Sequence, residues 1–204
     1  MWLASYPRSG NTYLRVLLHA AFGTVVSSKY DEDYSTFPEA FGTILGRSAP
    51  DRFGLRKTHD IETDGSPAIY IVRDGKASVV SYFHYCRNFE INRSMESIIR
   101  GQTPFGSWSS HFRGWAPSER EATLLLRFED IVAKPDDAIE QLADFLCVRP
   151  MGRFEGDFQT LHAISPDFFR SGSNQRNALE MTEKEIALFD EIHGDLMREL
   201  GYST

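Results

Sequence analysis

Apolar residues fall along the chain in two kinds of run. Short unbroken ones occupy residues 2–5, 53–56, 68–72 and 123–127. None alternates apolar with polar cleanly enough for a strand with one wet face, so each is predicted to be a strand buried on both sides. Longer segments place apolar residues three and four apart, at 12–22, 76–86, 108–115, 136–145 and 183–200, and these predict helices. The last opens with Thr182 ahead of Glu183 and Glu185, a capping pattern, and runs into Gly201. Strand then helix, repeated, predicts an α/β fold of three layers, a central parallel sheet flanked by helices. Residues 23–50 and 149–177 are the least periodic, and irregular stretches of that length in a compact fold are expected to carry ligand contacts.

Composition narrows this picture. A chain of 204 residues with 41% hydrophobic side chains suits one domain spanning 1–204. Acidic residues outnumber basic ones, 29 to 22, for a net charge of -7, which argues against a broad nucleic-acid footprint. Only Cys86 and Cys147 occur and no leader pattern precedes residue 2, so a reduced, cytoplasmic protein is expected. The apolar runs fall far short of the roughly 20 residues a bilayer requires, and no membrane span is expected. Six histidines and two cysteines show no metal-ligand spacing, and the acidic cluster Asp31-Glu32-Asp33 reads as a solvated surface, so no metal is expected.

The first strand breaks at Tyr6-Pro7 into Arg8-Ser9-Gly10-Asn11-Thr12-Tyr13, and a helical pattern begins at once. Such a turn aims unpaired backbone N–H groups and the positive end of a helix dipole outward, a setting for phosphate. Arg8 adds a cation, Ser9 and Thr12 add hydroxyls, and Gly10 allows close approach. Taken alone, the stretch reads equally as an ordinary strand-to-helix turn. It lacks the Gly-Lys of nucleotide kinases, so the fold is expected to be P-loop-like without the usual magnesium-ligating geometry.

Three further stretches carry chemistry. Lys57-Thr58-His59 follows the second strand; Arg73 ends the third and Ser81 lies eight residues on; Phe128-Glu129-Asp130 ends the fourth. His59 is the candidate general base, since imidazole titrates near neutral pH, with a rate rising through an apparent pKa of about 6 to 7. His84 reads as packing, and His111 either as packing or as lining an acceptor pocket. Glu129 and Asp130, being adjacent, point apart and read as caps of the next turn rather than as an acid/base pair.

This order of motifs resembles the sulfotransferases that use 3′-phosphoadenosine 5′-phosphosulfate. The family's first loop reads Pro-Lys-Ser-Gly-Thr-Thr-Trp, its catalytic segment Lys-Thr-His, and its 3′-phosphate motif an Arg at a strand end with a Ser eight positions on. "GSWSSHFRGW", residues 106–115, and "FRSG", residues 169–172, are similar to two later family segments. The resemblance implies donor contacts from Arg8, Ser9, Gly10, Asn11, Thr12 and Tyr13, and a 3′-phosphate clamp from Arg73, Ser81, Arg170, Ser171 and Gly172. It also implies nucleotide contacts from Phe128 and Phe158, with His59 as base and Lys57 and Arg8 stabilising the transferred group. The acceptor is expected to be a small molecule bearing a hydroxyl, less readily an amine, and Tyr30, Tyr34, Phe83, Trp108 and Trp115 favour an aromatic or apolar body.

Departures stand beside the matches. Arg8 replaces the usual Lys, Tyr13 the Trp, Phe128 the Tyr of Tyr-Glu-Asp, and Arg170-Ser171-Gly172 the Arg-Lys-Gly; Arg176 is a candidate substitute for that missing Lys. The C-terminal dimer motif of many cytosolic members is absent, so a monomer or a differently built dimer is expected. The alternative readings are a nucleotide or small-molecule kinase of P-loop type and a non-catalytic nucleotide-binding module.

Overall fold

The computed structural model describes residues 1–30, 39–154, 158–164 and 180–203, with backbone alone at 39, 158 and 159. Its sheet comprises β1 (Trp2–Ser5), β2 (Ser27–Ser28), β3 (Arg56–Thr58), β4 (Ala68–Val72) and β5 (Thr123–Arg127), ordered β2-β3-β1-β4-β5. Every pairing is parallel, with Ala4 of β1 opposite Thr58 on one side and Tyr70 on the other. The helices among the described residues are α1 (Asn11–Phe22), α2 (Glu39–Ile44), α3 (Gly75–Asn88), α4 (Met95–Ile99), α5 (Trp108–Trp115), α6 (Phe128–Ala133), α7 (Pro135–Leu146), α8 (Phe158–Ile164) and α9 (Glu183–Glu199).

The period of two along each strand divides the interior into two cores. Leu3, Ile69, Ile71 and Leu126 face Leu14, Leu17 and Leu18 of α1 and Leu142 of α7. Ala4, Tyr70 and Val72 face Val79 and Val80 of α3, Trp108 and Phe112 of α5, and Phe189 of α9. The fold is thus the expected three-layer α/β arrangement around a parallel sheet. No helix among the described residues is long and apolar enough to cross a membrane.

The strand expected at 53–56 is displaced. Asp51 Oδ1 accepts from the N–H groups of Phe53 (3.3 Å) and Gly54 (2.8 Å), and Gly54 has φ +60, so 51–54 form a turn rather than a strand. The strand begins at Arg56 and is polar, because pairing with β1 and β2 defines it rather than its own apolarity. Pro135 opens α7 at a position that needs no N–H, and Thr182 and Glu185 cap α9 reciprocally. Asp74 caps α3 by accepting from Ala77 N at 2.8 Å, an interaction worth about 1 kcal/mol.

Candidate active site

β1 lies at the centre of the sheet, with β3 on one side and β4 on the other. Because all strands are parallel, the segments leaving β1, β3, β4 and β5 emerge at one edge, in the crevice where the strand order reverses direction. The loop after β1, His59 after β3, Arg73 after β4 and Phe128 after β5 therefore converge there, although they lie far apart in sequence.

The loop after β1 is held in a demanding shape. Arg8 has φ +66, a left-handed conformation that is strained for a side chain of its size, and Gly10 has φ +105. A Cβ on Gly10 would stand 2.2 Å from the Phe128 ring, so only glycine fits. Gly10 is also the N-cap of α1 and supplies no side-chain oxygen, which leaves the first-turn N–H groups without an intrahelical acceptor. Arg73 Nη1 donates to Arg8 O at 3.2 Å and so braces the strained peptide. Arg8 Nε donates to Ser81 Oγ at 3.3 Å, and its guanidinium lies 5.4 Å from the Tyr85 ring centre. Arg73 is buried, with its guanidinium 4.7 Å from the centre of the Phe128 ring. Two guanidinium groups, the Ser81 hydroxyl and an open helix end thus meet at one sheet edge.

Other residues of the loop turn inward. Ser9 is fully buried, its hydroxyl 3.3 Å from that of Ser78 on α3. Asn11 Nδ2 donates to Leu3 O (3.2 Å) and Ser5 Oγ (3.4 Å), which ties its side-chain amide back to β1. Thr12 is partly exposed in the first turn of α1. Tyr13 is buried edge-on against Phe128 and Phe154, at 5.9 and 5.6 Å between ring centres. Phe128 accordingly acts as a floor beneath Gly10, Tyr13 and Arg73. Glu129, read from sequence as a local cap, instead reaches across the edge: it accepts from Asp74 N (3.0 Å) and from Tyr202 Oη (2.9 Å).

His59 is partly buried, and its ring contacts fix its protonation. Nδ1 lies 2.8 Å from Ser5 O, and because a carbonyl only accepts, Nδ1 carries the hydrogen and Nε2 offers a lone pair. Its backbone N–H donates to Tyr30 Oη at 2.7 Å, the Tyr30 ring stacks on the imidazole at 5.9 Å, and Phe105 meets it edge-on at 5.5 Å. Burial pushes the imidazole pKa well below its ordinary value, and the charges of Lys57 and, more weakly, Arg8 act in the same direction. His59 is neutral at pH 7. The nearby carboxylates Asp60 and Glu62 are both bridged by Lys29, at 3.1 Å for Asp60, which leaves the imidazole as the uncommitted base of this loop.

The aromatic residues expected around an acceptor pocket divide. Tyr30 stands on His59, joined by Phe105, a residue that no periodic pattern or motif singles out. Trp108 and Trp115 are core residues whose Nε1–H groups donate to Arg73 O (3.2 Å) and Asp60 O (3.0 Å). His111 is fully buried with both ring nitrogens bonded inside the fold, so it is a packing residue rather than part of a pocket wall. His84, read as packing, pairs with Glu180 at the surface. Tyr34, Arg170, Ser171, Gly172 and Arg176 lie outside the described residues, as does the side chain of Phe158.

A sequence profile of the family described as "Sulfotransferase domain" matches residues 58–201. Mouse sulfotransferase 1B1 is 28% identical over 172 residues, covering 71% of this chain and 57% of the mouse protein. Flavonol 3-sulfotransferase of Flaveria bidentis is 27% identical over 177 residues, covering 72% and 56%. The chain thus spans a little over half the length of the curated relatives it matches. Among solved structures, mouse sulfotransferase SULT7A1 complexed with PAP superposes with a TM-score of 0.69 at 22% identity, over 97% of this chain and 83% of that one. With a family profile matching most of its length and the fold of known members, the chain belongs to the sulfotransferase domain family.

Proposed function

We propose that the chain transfers the sulfuryl group from 3′-phosphoadenosine 5′-phosphosulfate to a hydroxyl of a small acceptor. The observation that carries this reading is the pairing, at one sheet edge, of an uncapped helix end flanked by Arg8, Arg73 and Ser81 with a neutral imidazole whose Nε2 lone pair is uncommitted. Gly10, with a positive φ and the Phe128 ring closing its Cβ position, shapes the turn that presents the first-turn amides to the donor's 5′ end. His59 Nε2 takes the acceptor's hydroxyl proton as its oxygen bonds to sulfur, and the bond from sulfur to the 5′-phosphate oxygen breaks in line. 3′-Phosphoadenosine 5′-phosphate leaves. Lys57, Arg8 and the helix end oppose the charge that grows on the attacking and leaving oxygens. Arg73 and Ser81 hold the 3′-phosphate, and with it the selectivity for this nucleotide.

Tyr30 and Phe105, standing on His59, favour an acceptor with a flat aromatic body over a polyanionic one. Calorimetry with 3′-phosphoadenosine 5′-phosphate, ATP and ADP, followed by transfer from labelled donor to a panel of phenols and alcohols, tests the reading. Selective binding of the 3′,5′-bisphosphate and labelled sulfate ester are expected. Magnesium-dependent ATP consumption would establish a kinase, and donor binding without transfer to any acceptor a binding module.

A further inference from the structure

His111 and Trp115 lie one turn apart on α5, and they donate to successive backbone carbonyls of the loop that carries the candidate base. His111 Nε2 is 2.8 Å from His59 O, and Trp115 Nε1 is 3.0 Å from Asp60 O. Since the His59 carbonyl only accepts, His111 carries its hydrogen on Nε2 and presents Nδ1 as an acceptor. That acceptor is met by Tyr70 Oη at 2.8 Å, from the middle of β4. Both nitrogens of a fully buried ring are thereby committed, and burial holds its pKa down to about 4, so it is neutral at pH 7.

The base is consequently fixed from three elements. Ser5 at the end of β1 holds its Nδ1–H, Tyr30 beyond β2 accepts from its N–H, and α5 grips its carbonyl. Nε2 is the one polar atom of His59 that these bonds leave to a substrate. We infer that the Tyr70–His111 pair is a positioning device for the transfer reaction: it fixes the carbonyl of His59 and so aims Nε2, without touching donor or acceptor. This rests on the reading of His59 as the general base. Misplacing a base by about 1 Å costs on the order of a hundredfold in rate, so a hydrogen bond to its backbone is enough to matter.

Three variants test the inference against the parent. His111→Gln reproduces both bonds, its amide NH₂ donating to His59 O and its amide oxygen accepting from Tyr70, and should keep kcat within about threefold. His111→Leu removes both and should lower kcat by about tenfold to hundredfold, with the donor Kd and the acceptor KM unchanged. Tyr70→Phe deletes one oxygen while keeping the packing, and should lower kcat by a smaller factor in the same pattern; it decides the matter if the leucine variant does not fold. An acceptor KM that rises while kcat holds would make His111 a pocket wall and overturn the inference, as would parental kcat in both His111→Leu and Tyr70→Phe. Imidazole ¹⁵N spectra separate failure here from failure of the functional reading, because they need no reaction. The His59 Nδ1–H resonance, assigned by its loss in His59→Ala, should keep its position in His111→Gln and move in His111→Leu and Tyr70→Phe as the released carbonyl lets the ring shift against Ser5 O. An unmoved resonance in both His111→Leu and Tyr70→Phe overturns the inference whether or not the parent turns over.

Discussion

A depressed imidazole pKa reverses one expectation about His59. From sequence alone its titration should shape the rate near pH 6 to 7, as an ordinary imidazole would. In the folded chain burial and the Lys57 charge hold it well below that range, so the rate should be flat across neutral pH and fall only in more acid solution. Lys57→Ala should move that acid limb upward, toward the ordinary imidazole range, while lowering the maximal rate; an unmoved limb would show that the Lys57 charge does not reach the ring. His59→Ala should lower transfer by a factor on the order of 10² to 10⁴ at nearly constant donor affinity. Arg73 has two tasks, facing the proposed 3′-phosphate and bracing Arg8 O. Arg73→Ala should weaken binding of the 3′,5′-bisphosphate by about one to two decades in calorimetry, and Arg73→Lys should recover little because a point charge cannot replace the planar fork.

At the level of elements, the parts legible in the sequence were those governed by local rules. Residues 2–5, 68–72 and 123–127 are strands as their unbroken apolar runs predict, and Thr182 and Glu185 cap α9 as their spacing predicts. Elements defined by their neighbours were not legible. β3 is polar and three residues long, and it exists because β1 offers it a ladder. Strand-helix alternation predicts a parallel sheet, but neither its strand order nor which motif residues face the crevice: Ser9 and Asn11 turn inward through partners, Ser78 and Leu3, that no pattern announces. Gly10 is the hinge between local and tertiary constraint. Gly10→Ala should lower the denaturant midpoint and weaken nucleotide binding, through a left-handed φ worth about 1 to 3 kcal/mol and the collision with Phe128. Adding Phe128→Ala should relieve only the collision, so the double variant should remain less stable than Phe128→Ala alone.

On the scale of the whole molecule, two cores share one sheet and bury neutral histidines. His111 and His193 are inaccessible to solvent, and in both burial pushes the pKa down, to about 4 for His111. His193 bonds to Ser109 Oγ (2.7 Å) and Ile99 O (2.9 Å), tying α9 to α5 and α4. Below the ordinary imidazole pKa of about 6.5 the unfolded chain takes up protons that these folded sites refuse. Stability is therefore full above that pH and declines as pH falls, at about 1.4 kcal/mol per unit for each group, until the folded pKa is reached. Urea midpoints between pH 8 and pH 4.5 should drop most steeply below about pH 6.5. His193→Gln should reduce that slope, and an equal slope in parent and variant would remove His193 from the effect.

The central place of β1 also bears on how the chain is made. A ribosome delivers β1 before the other four strands of this sheet, yet its partners are Arg56–Thr58 and Ala68–Val72. Until those residues have emerged, an apolar strand with two unpaired edges waits in the nascent protein, and the loop that follows it has neither Ser78 nor Arg73 to shape it. Pairings so distant in sequence slow folding and lengthen exposure to other chains. Synthesis paused before residue 72 should therefore yield a chain that is protease-sensitive at β1 and readily bound by chaperones, whereas a pause after α3 has emerged should protect it.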